Sequence, residues 1–146
     1  MTPKPLALKS IDSLSLITFP HHLEDNGSLI VMEELKNVPF KIARVFVVLA
    51  SVGSIRGEHA HRLCSQLLTC PTGSIEVLCD DGSKQIKYFL NKPNLGLLLP
   101  PGIWAKQTYL DQNSVLTVLC DRPYEVDDYI RDYNEFKTYR EIQPNV

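Results

Sequence analysis

Long apolar runs, clustered basic residues and paired cysteines are all missing from this sequence, and each gap removes a class of protein. No stretch approaches the ~20 consecutive apolar residues that a membrane-crossing helix needs. The opening Met1-Thr2-Pro3-Lys4-Pro5 lacks the apolar core of a secretory leader. Neither a membrane nor secretion is therefore expected. Lysine and arginine do not cluster, and the net charge is -2. That leaves no basic surface for a phosphate backbone, so nucleic acid is not an expected partner. The four cysteines, Cys64, Cys70, Cys79 and Cys120, form no C-x-x-C pair, the spacing of common zinc and dithiol sites. Three of them lie in strand-like stretches, where a free thiol behaves as a small buried hydrophobe. They read as structural thiols in a reducing cytoplasm.

What is present suits one all-β domain. The chain has 146 residues, 44% apolar and 22% charged, ordinary values for a globule with a single core. Residues 1–23 read as an N-terminal strand or arm, with Leu14, Leu16 and Phe19 on one side. Asn26-Gly27 is the strongest short-range hairpin signal, and β-like Leu29 to Met32 follow it. Phe40 to Ala50, Gln66 to Cys70, Ile75 to Asp80, Lys84 to Leu90 and Val115 to Cys120 read as strands, punctuated by Gly and Pro turns. Only the tail, 125–146, has helix-like composition, from about Glu125 to Arg140. Many short strands at close spacing predict a sandwich or barrel rather than βαβ units. A double-sheet jelly roll of the cupin type, a β-barrel enclosing a pocket and ending in a short C-terminal helix, suits the count.

Inside GSIRGEHAHRLCSQLLTCPTG lies the spacing G-x5-H-x-H-x4-Q-x6-G, formed by Gly53, His59, His61, Gln66 and Gly73. Two histidines one residue apart share a face only on a strand, where side chains alternate with period two. Gln66 lies an odd number of residues past His61, so a turn or bulge must bring its amide to the same cavity. Paired imidazoles in a pocket serve metal binding or proton transfer. This spacing resembles the first cupin motif, which usually has a glutamate where this chain has Gln66. The second motif, roughly P-x-G-x2-H, corresponds to Pro100-Pro101-Gly102-Ile103-Trp104-Ala105, so Ala105 stands where its histidine would be. Two imidazoles and a neutral amide are a poor set for a divalent ion. The expectation is proton transfer with neither metal nor cofactor; a metal-dependent cupin oxygenase is the competing reading.

The chain is similar to the metal-free cupins that interconvert 3-keto and 4-keto nucleotide-linked deoxysugars, the dTDP-sugar 3,4-ketoisomerases, especially the WxcM-like branch. The matching stretches include Val38-Pro39-Phe40-Lys41-Ile42, Arg44-Val45-Phe46, Arg56-Gly57-Glu58-His59-Ala60-His61-Arg62, Pro101-Gly102-Ile103-Trp104 and the tail from Asp127 to Phe136. The resemblance implies a cofactor-independent homodimer acting on a dTDP-4-keto-6-deoxyhexose in cytoplasmic deoxysugar and polysaccharide synthesis. It also implies that His61 is the base and His59 its partner. Arg56 would stabilise an oxyanion or grip a phosphate. Arg44, a charge inside an apolar strand, would face the substrate. Gln66 would hydrogen-bond a histidine or a sugar hydroxyl, and Trp104 would stack on sugar or base. The acidic-aromatic tail reads as packing and dimer contact. Members of the family tend to carry tyrosines in the strand after the match to Arg44-Val45, where this chain has Phe46, Val47, Val48 and Leu49. Alternatives are a nucleotide-sugar-binding cupin without catalysis, a divergent isomerase, or a sugar-nucleotide epimerase.

Overall fold

The computed structural model describes residues 8–142; the expectations for Met1 to Pro5 and for the last residues of the tail lie outside them. The alternating segments form two five-stranded antiparallel sheets and a two-stranded hairpin. The first sheet runs β1 (Ser15–Thr18), β9 (Leu95–Leu99), β6 (Gln66–Thr72), β11 (Val115–Cys120), β4 (Arg44–Leu49). The second runs β12 (Tyr129–Ile130), β5 (Ile55–His61), β10 (Trp104–Tyr109), β7 (Ile75–Asp80), β8 (Gln85–Leu90). The hairpin pairs β2 (His21–Glu24) with β3 (Gly27–Ile30) across Asp25-Asn26, where the Asn-Gly signal put the turn. One helix, α1 (Tyr133–Ile142), closes the described chain.

Period-two alternation decides which side chains meet between the sheets. Leu68 and Cys70 of β6, Leu97 and Leu99 of β9, and Leu116, Val118 and Cys120 of β11 share one buried cluster with Ile75, Val77 and Cys79 of β7 and Ala105 and Tyr109 of β10. Each fully buried Leu, Ile or Val contributes roughly 1.5–3 kcal/mol of transfer free energy, so this shared core holds the two sheets face to face. All four cysteines are buried free thiols. The outer side of the first sheet is covered by Phe19, Val38, Ile30, Met32, Phe40 and Ile42 around Leu67 and Leu119. On the outer side of the second sheet, Phe136 of α1 and Ile130 close over Ala60.

Two elements differ from their sequence reading. β4 begins at Arg44, not Phe40, because the backbone at Ile42 gives its N–H to the Glu34 side chain (2.7 Å) instead of a neighbouring strand. The tail is helical only from Tyr133. Asp132 caps that helix, its carboxylate accepting from the Glu135 N–H at 2.8 Å, as an N-cap acid does. Upstream, residues 126–128 form a single 3-10 turn, and Tyr129–Ile130 pair with β5 as a sixty-eight-residue return to His61 and Ala60.

Candidate active site

The histidine pair rides on the last residues of β5, and a bulge aims it. On β10, Ala105 pairs with His59 while Lys106 pairs with Gly57, so Glu58 is the extra residue. Gly57 and Glu58 both take positive φ (85° and 57°). A bulge of this kind bends a strand and redirects the side chains that follow. Glycine is required at 57: a Cβ there would lie 2.6 Å from Gln107 Oε1 and 3.0 Å from the Ala105 carbonyl. Gly57→Ala should therefore cost about 1–2 kcal/mol for the backbone alone and displace Gln107 from the cavity wall. Denaturant melts together with turnover check this; full retention of both would contradict the close approach.

His59 and His61 lie with ring centroids 5.0 Å apart and nearly perpendicular. His59 Nδ1 sits 3.1 Å from the Gly57 carbonyl. His61 Nδ1 sits 2.8 Å from Asp128 Oδ2. A carbonyl and a carboxylate can only accept, so both Nδ1 atoms carry the proton and both Nε2 atoms are bare acceptors. His61 is 6% exposed, and its Nε2 is buried with no partner. Asp128 is held in turn: its second oxygen accepts the Leu63 N–H at 2.6 Å, and its carbonyl accepts from Arg62 N at 2.8 Å.

Burial, reinforced by the charge of His61, pulls His59 from the ordinary 6.5 down to about 4. Burial also lowers His61, although its hydrogen bond to Asp128 works the other way. Both rings are thus neutral at neutral pH. Between pH 6.5 and about 4 the unfolded chain binds a proton at His59 that the folded chain refuses, so stability falls as pH drops through that window. Thermal melts from pH 7 to 4.5 should show a declining Tm, with a shallower decline in His59→Gln. An unchanged slope in that variant would contradict the assignment.

The cavity before the pair has a volume of about 160 Å³, and its walls include Arg56, His59, Gln66, Gln107, Tyr129 and Arg131, with Phe46, Val48, Leu68, Leu116 and Val118 as its apolar side. Of the residues singled out in the sequence, Arg56, His59 and Gln66 line it, and His61 stands directly behind His59. Gln66 gives its amide N–H to Cys120 Sγ (3.5 Å), not to a histidine. Arg44 is beside the cavity rather than in its wall. Its Nη2 lies 3.5 Å from Cys120 Sγ, and its guanidinium is 5.6 Å from the Phe46 and Tyr124 ring centroids. Burial alone would lower Arg44, but the Tyr129 hydroxyl and Cys120 outweigh it and leave its pKa raised. Trp104 is not in the wall. Alternation on β10 turns Ala105, Gln107 and Tyr109 inward and Trp104 outward, where it packs on Tyr133 and Phe136 at 5.3 and 5.6 Å.

Four residues of the site carry no signal in the H-x-H motif: Gln107, Asp128, Tyr129 and Arg131. Three come from the tail, so that segment is more than packing. Tyr129 pairs with His61 across the β12–β5 register and its ring lies 5.0 Å from His59 and 4.4 Å from His61. The Arg131 guanidinium lies 4.4 Å from the Tyr129 ring centroid. Among the described residues, Arg56 and Arg131 of the wall and Arg44 beside it form no ion pair with a carboxylate, which leaves positive charge in and beside the cavity for an anion.

One group of metal-type donors occurs among the described residues: His61, Cys64 and Asp128, with ligand atoms within 4.8 Å of one another. Two of the three are already bonded to each other and the third is a neutral thiol. The His61–Asp128 contact is a hydrogen bond through the Nδ1 proton. Hydrogen bonding to Cys120 and burial push the Cys64 thiol strongly up, whereas a metal needs the thiolate. Beside His59, where a further imidazole could complete a set, the register places Ala105.

Comparison with known proteins adds sequence and fold relatives. The family described as FdtA: WxcM-like, C-terminal, matches residues 12–141. A TDP-4-oxo-6-deoxy-alpha-D-glucose-3,4-oxoisomerase of Aneurinibacillus thermoaerophilus is 38% identical over 125 residues, 85% of this chain and 90% of that protein. A 3,4-ketoisomerase from Helicobacter canadensis superposes with a TM-score of 0.84 at 32% identity, covering 88% of this chain and 98% of the other. A histidine-to-asparagine mutant of a 3,4-ketoisomerase from Thermoanaerobacterium thermosaccharolyticum, in complex with TDP-4-keto-6-deoxyglucose, superposes with a TM-score of 0.86 at 27% identity, covering 90% and 96%.

Proposed function

The chain belongs to the FdtA family of WxcM-like C-terminal domains, and on that premise we propose that it is a sugar 3,4-ketoisomerase acting on a dTDP-4-keto-6-deoxyhexose. The observation that carries the reading is a pair of neutral imidazoles, each with a bare Nε2, His59 in the wall of a β cavity that Arg56 and Arg131 also line and His61 next to it with its ring 5.0 Å away. A hydrogen on the carbon beside a ketone is acidic enough for such a base, and the enediol that forms can be reprotonated at the neighbouring carbon. His61 takes the C3 proton and delivers it to C4. Asp128 holds the Nδ1 proton, fixes the ring and stabilises the imidazolium that forms, as an orienting carboxylate does. His59 Nε2 accepts a hydrogen bond from the sugar hydroxyl and keeps it aligned.

Arg56 of β5 and Arg131, just past β12, both line the cavity and offer bidentate donors to the pyrophosphate or to the oxyanion. A cavity of about 160 Å³ is below the ~300–1,000 Å³ of pockets that enclose whole drug-sized ligands. The sugar is the part that enters it, and the nucleotide lies toward the surface. The working unit in this reading is a homodimer. β4 is a sheet edge with Val45, Val47 and Leu49 exposed, an apolar edge of the sort proteins cover. A reducing cytoplasm suits the four buried free thiols, and no helix among the described residues is long and apolar enough to cross a membrane.

The test is incubation with dTDP-4-keto-6-deoxyglucose in deuterated buffer, followed by NMR. Carbonyl migration from C4 to C3 with solvent deuterium at the reprotonated carbon is the expected result. A folded protein that produces no migration and no exchange at C3 or C4 would overturn the reading.

A further inference from the structure

We infer that the first sheet selects the substrate at C6: Phe46, Val48, Leu116 and Val118 form an apolar wall that receives the methyl group of a 6-deoxysugar and disfavours a hydroxymethyl group there. This rests on the ketoisomerase reading above and adds to it the residues that set its substrate preference. The cavity is divided by polarity, and the division follows the two sheets. The second sheet, with Arg131 just past its edge strand, supplies Arg56, His59, Gln107 and Tyr129. The first sheet supplies Phe46, Val48, Leu68, Leu116 and Val118, with Gln66 as its one polar side chain in the lining.

Register keeps that polar group at one end of the wall. Gln66 pairs with Cys120 and Cys120 with Arg44, so these three form a row across β6, β11 and β4. Within that row Gln66 gives its amide N–H to Cys120 Sγ at 3.5 Å. The next row is Leu68, Val118 and Phe46, and beyond it Val48 pairs with Leu116. Neither of these two rows carries a side-chain donor or acceptor. Leu68, Leu116 and Val118 are 1–2% exposed, and Phe46 and Val48 are half-buried against the same core.

The sugar is the part of the substrate that enters the cavity, so the sugar must supply what meets this wall. On a 4-keto-6-deoxyhexose, C2, C3 and C4 each carry oxygen, whereas C6, the exocyclic carbon on C5, is a methyl. With C3 and C4 presented to the imidazoles, the methyl one carbon beyond C4 is the substituent that suits the facing wall. Its burial there is favourable. A hydroxyl on C6 would instead give up its water and find no partner in either apolar row.

Binding reads this preference without turnover. The ligands dTDP-6-deoxyglucose and dTDP-glucose differ only at C6, and neither carries a ketone. In calorimetric titrations the wild-type protein should bind the first roughly 10–100-fold more tightly, the span for a hydroxyl added in an apolar pocket. Val48→Thr replaces one methyl by a hydroxyl of similar size. It should narrow the ratio by roughly 2–10-fold, the worth of one net hydrogen bond, chiefly through tighter binding of dTDP-glucose. Phe46→Tyr, on the neighbouring row, should narrow it in the same direction, and it carries the test if threonine disturbs the packing. Equal affinities in the wild type, or a ratio unmoved in both variants, would overturn the selecting wall. If the wild type moves a carbonyl yet binds the two ligands equally, the wall falls and the ketoisomerase reading stands. If it prefers the deoxysugar but moves no carbonyl, the ketoisomerase reading falls and the preference at C6 stands.

Discussion

His61→Asn should abolish carbonyl migration, lowering kcat by about 10²–10⁴-fold or to the detection limit, the span for losing a positioned general base. Asparagine is close in size to the imidazole and can still hydrogen-bond Asp128, so the 3-10 turn and β12 should stay docked. What it lacks is a basic lone pair where His61 Nε2 now lies buried and unpartnered. Exchange of the C3 hydrogen should vanish with turnover, because both depend on the same proton abstraction. His59→Asn should cost less, since His59 steadies a hydroxyl and the carbon-to-carbon transfer survives. In the wild type, kcat/KM should hold through neutral pH and decline only below the ordinary histidine range, because burial lowers His61 and only the unprotonated ring can act as base. Stopped NMR assays with the two variants measure this directly. If His61→Asn retained activity within tenfold while His59→Asn lost it, the roles of the two rings would be exchanged.

Asp128→Asn should produce a comparable loss with a different signature. The amide oxygen can keep the Leu63 N–H bond that Asp128 now accepts at 2.6 Å, and its NH2 then faces His61 Nδ1. A donor there forces the lone pair onto Nδ1 and the proton onto Nε2, so the base points the wrong way. Replacing an orienting carboxylate by its amide behind a catalytic imidazole costs up to ~10⁴ in turnover. Asp128 is 7% exposed and does not line the cavity, so KM should scarcely move. A kcat near wild type would show that the carboxylate only braces the fold. A KM rise with kcat intact would show that it acts on substrate through the wall.

How much of this was legible in the sequence follows from the range of the interactions. The strands were readable because alternation is local: Ile75, Val77 and Cys79 face the core between more exposed neighbours, and Asn26-Gly27 and Asp81-Gly82 carry their own turns. The histidine pair was readable for the same reason, since H-x-H on a strand settles its own facing. Asp128 and Tyr129 were not. Their place depends on β12 returning to pair with β5 across the molecule, and nothing in Asp127-Asp128-Tyr129 announces that register. The acidic-aromatic composition read as helix, yet the helix waits for the Asp132 cap. Trp104 failed through parity. The turn at Pro101-Gly102 sets which β10 residues face inward, and the register gives that face to Ala105 and Gln107.

The tie between Asp128 and His61 spans 67 positions of sequence and has a consequence for biogenesis. A nascent polypeptide that has left the ribosome only as far as β11 already contains both sheets' long strands and both imidazoles, but not the carboxylate that sets the tautomer of His61. Competence arrives only when the segment after β11 is made and β12 docks on β5, so a copy cut short at β11 would hold His61 without its orienting carboxylate.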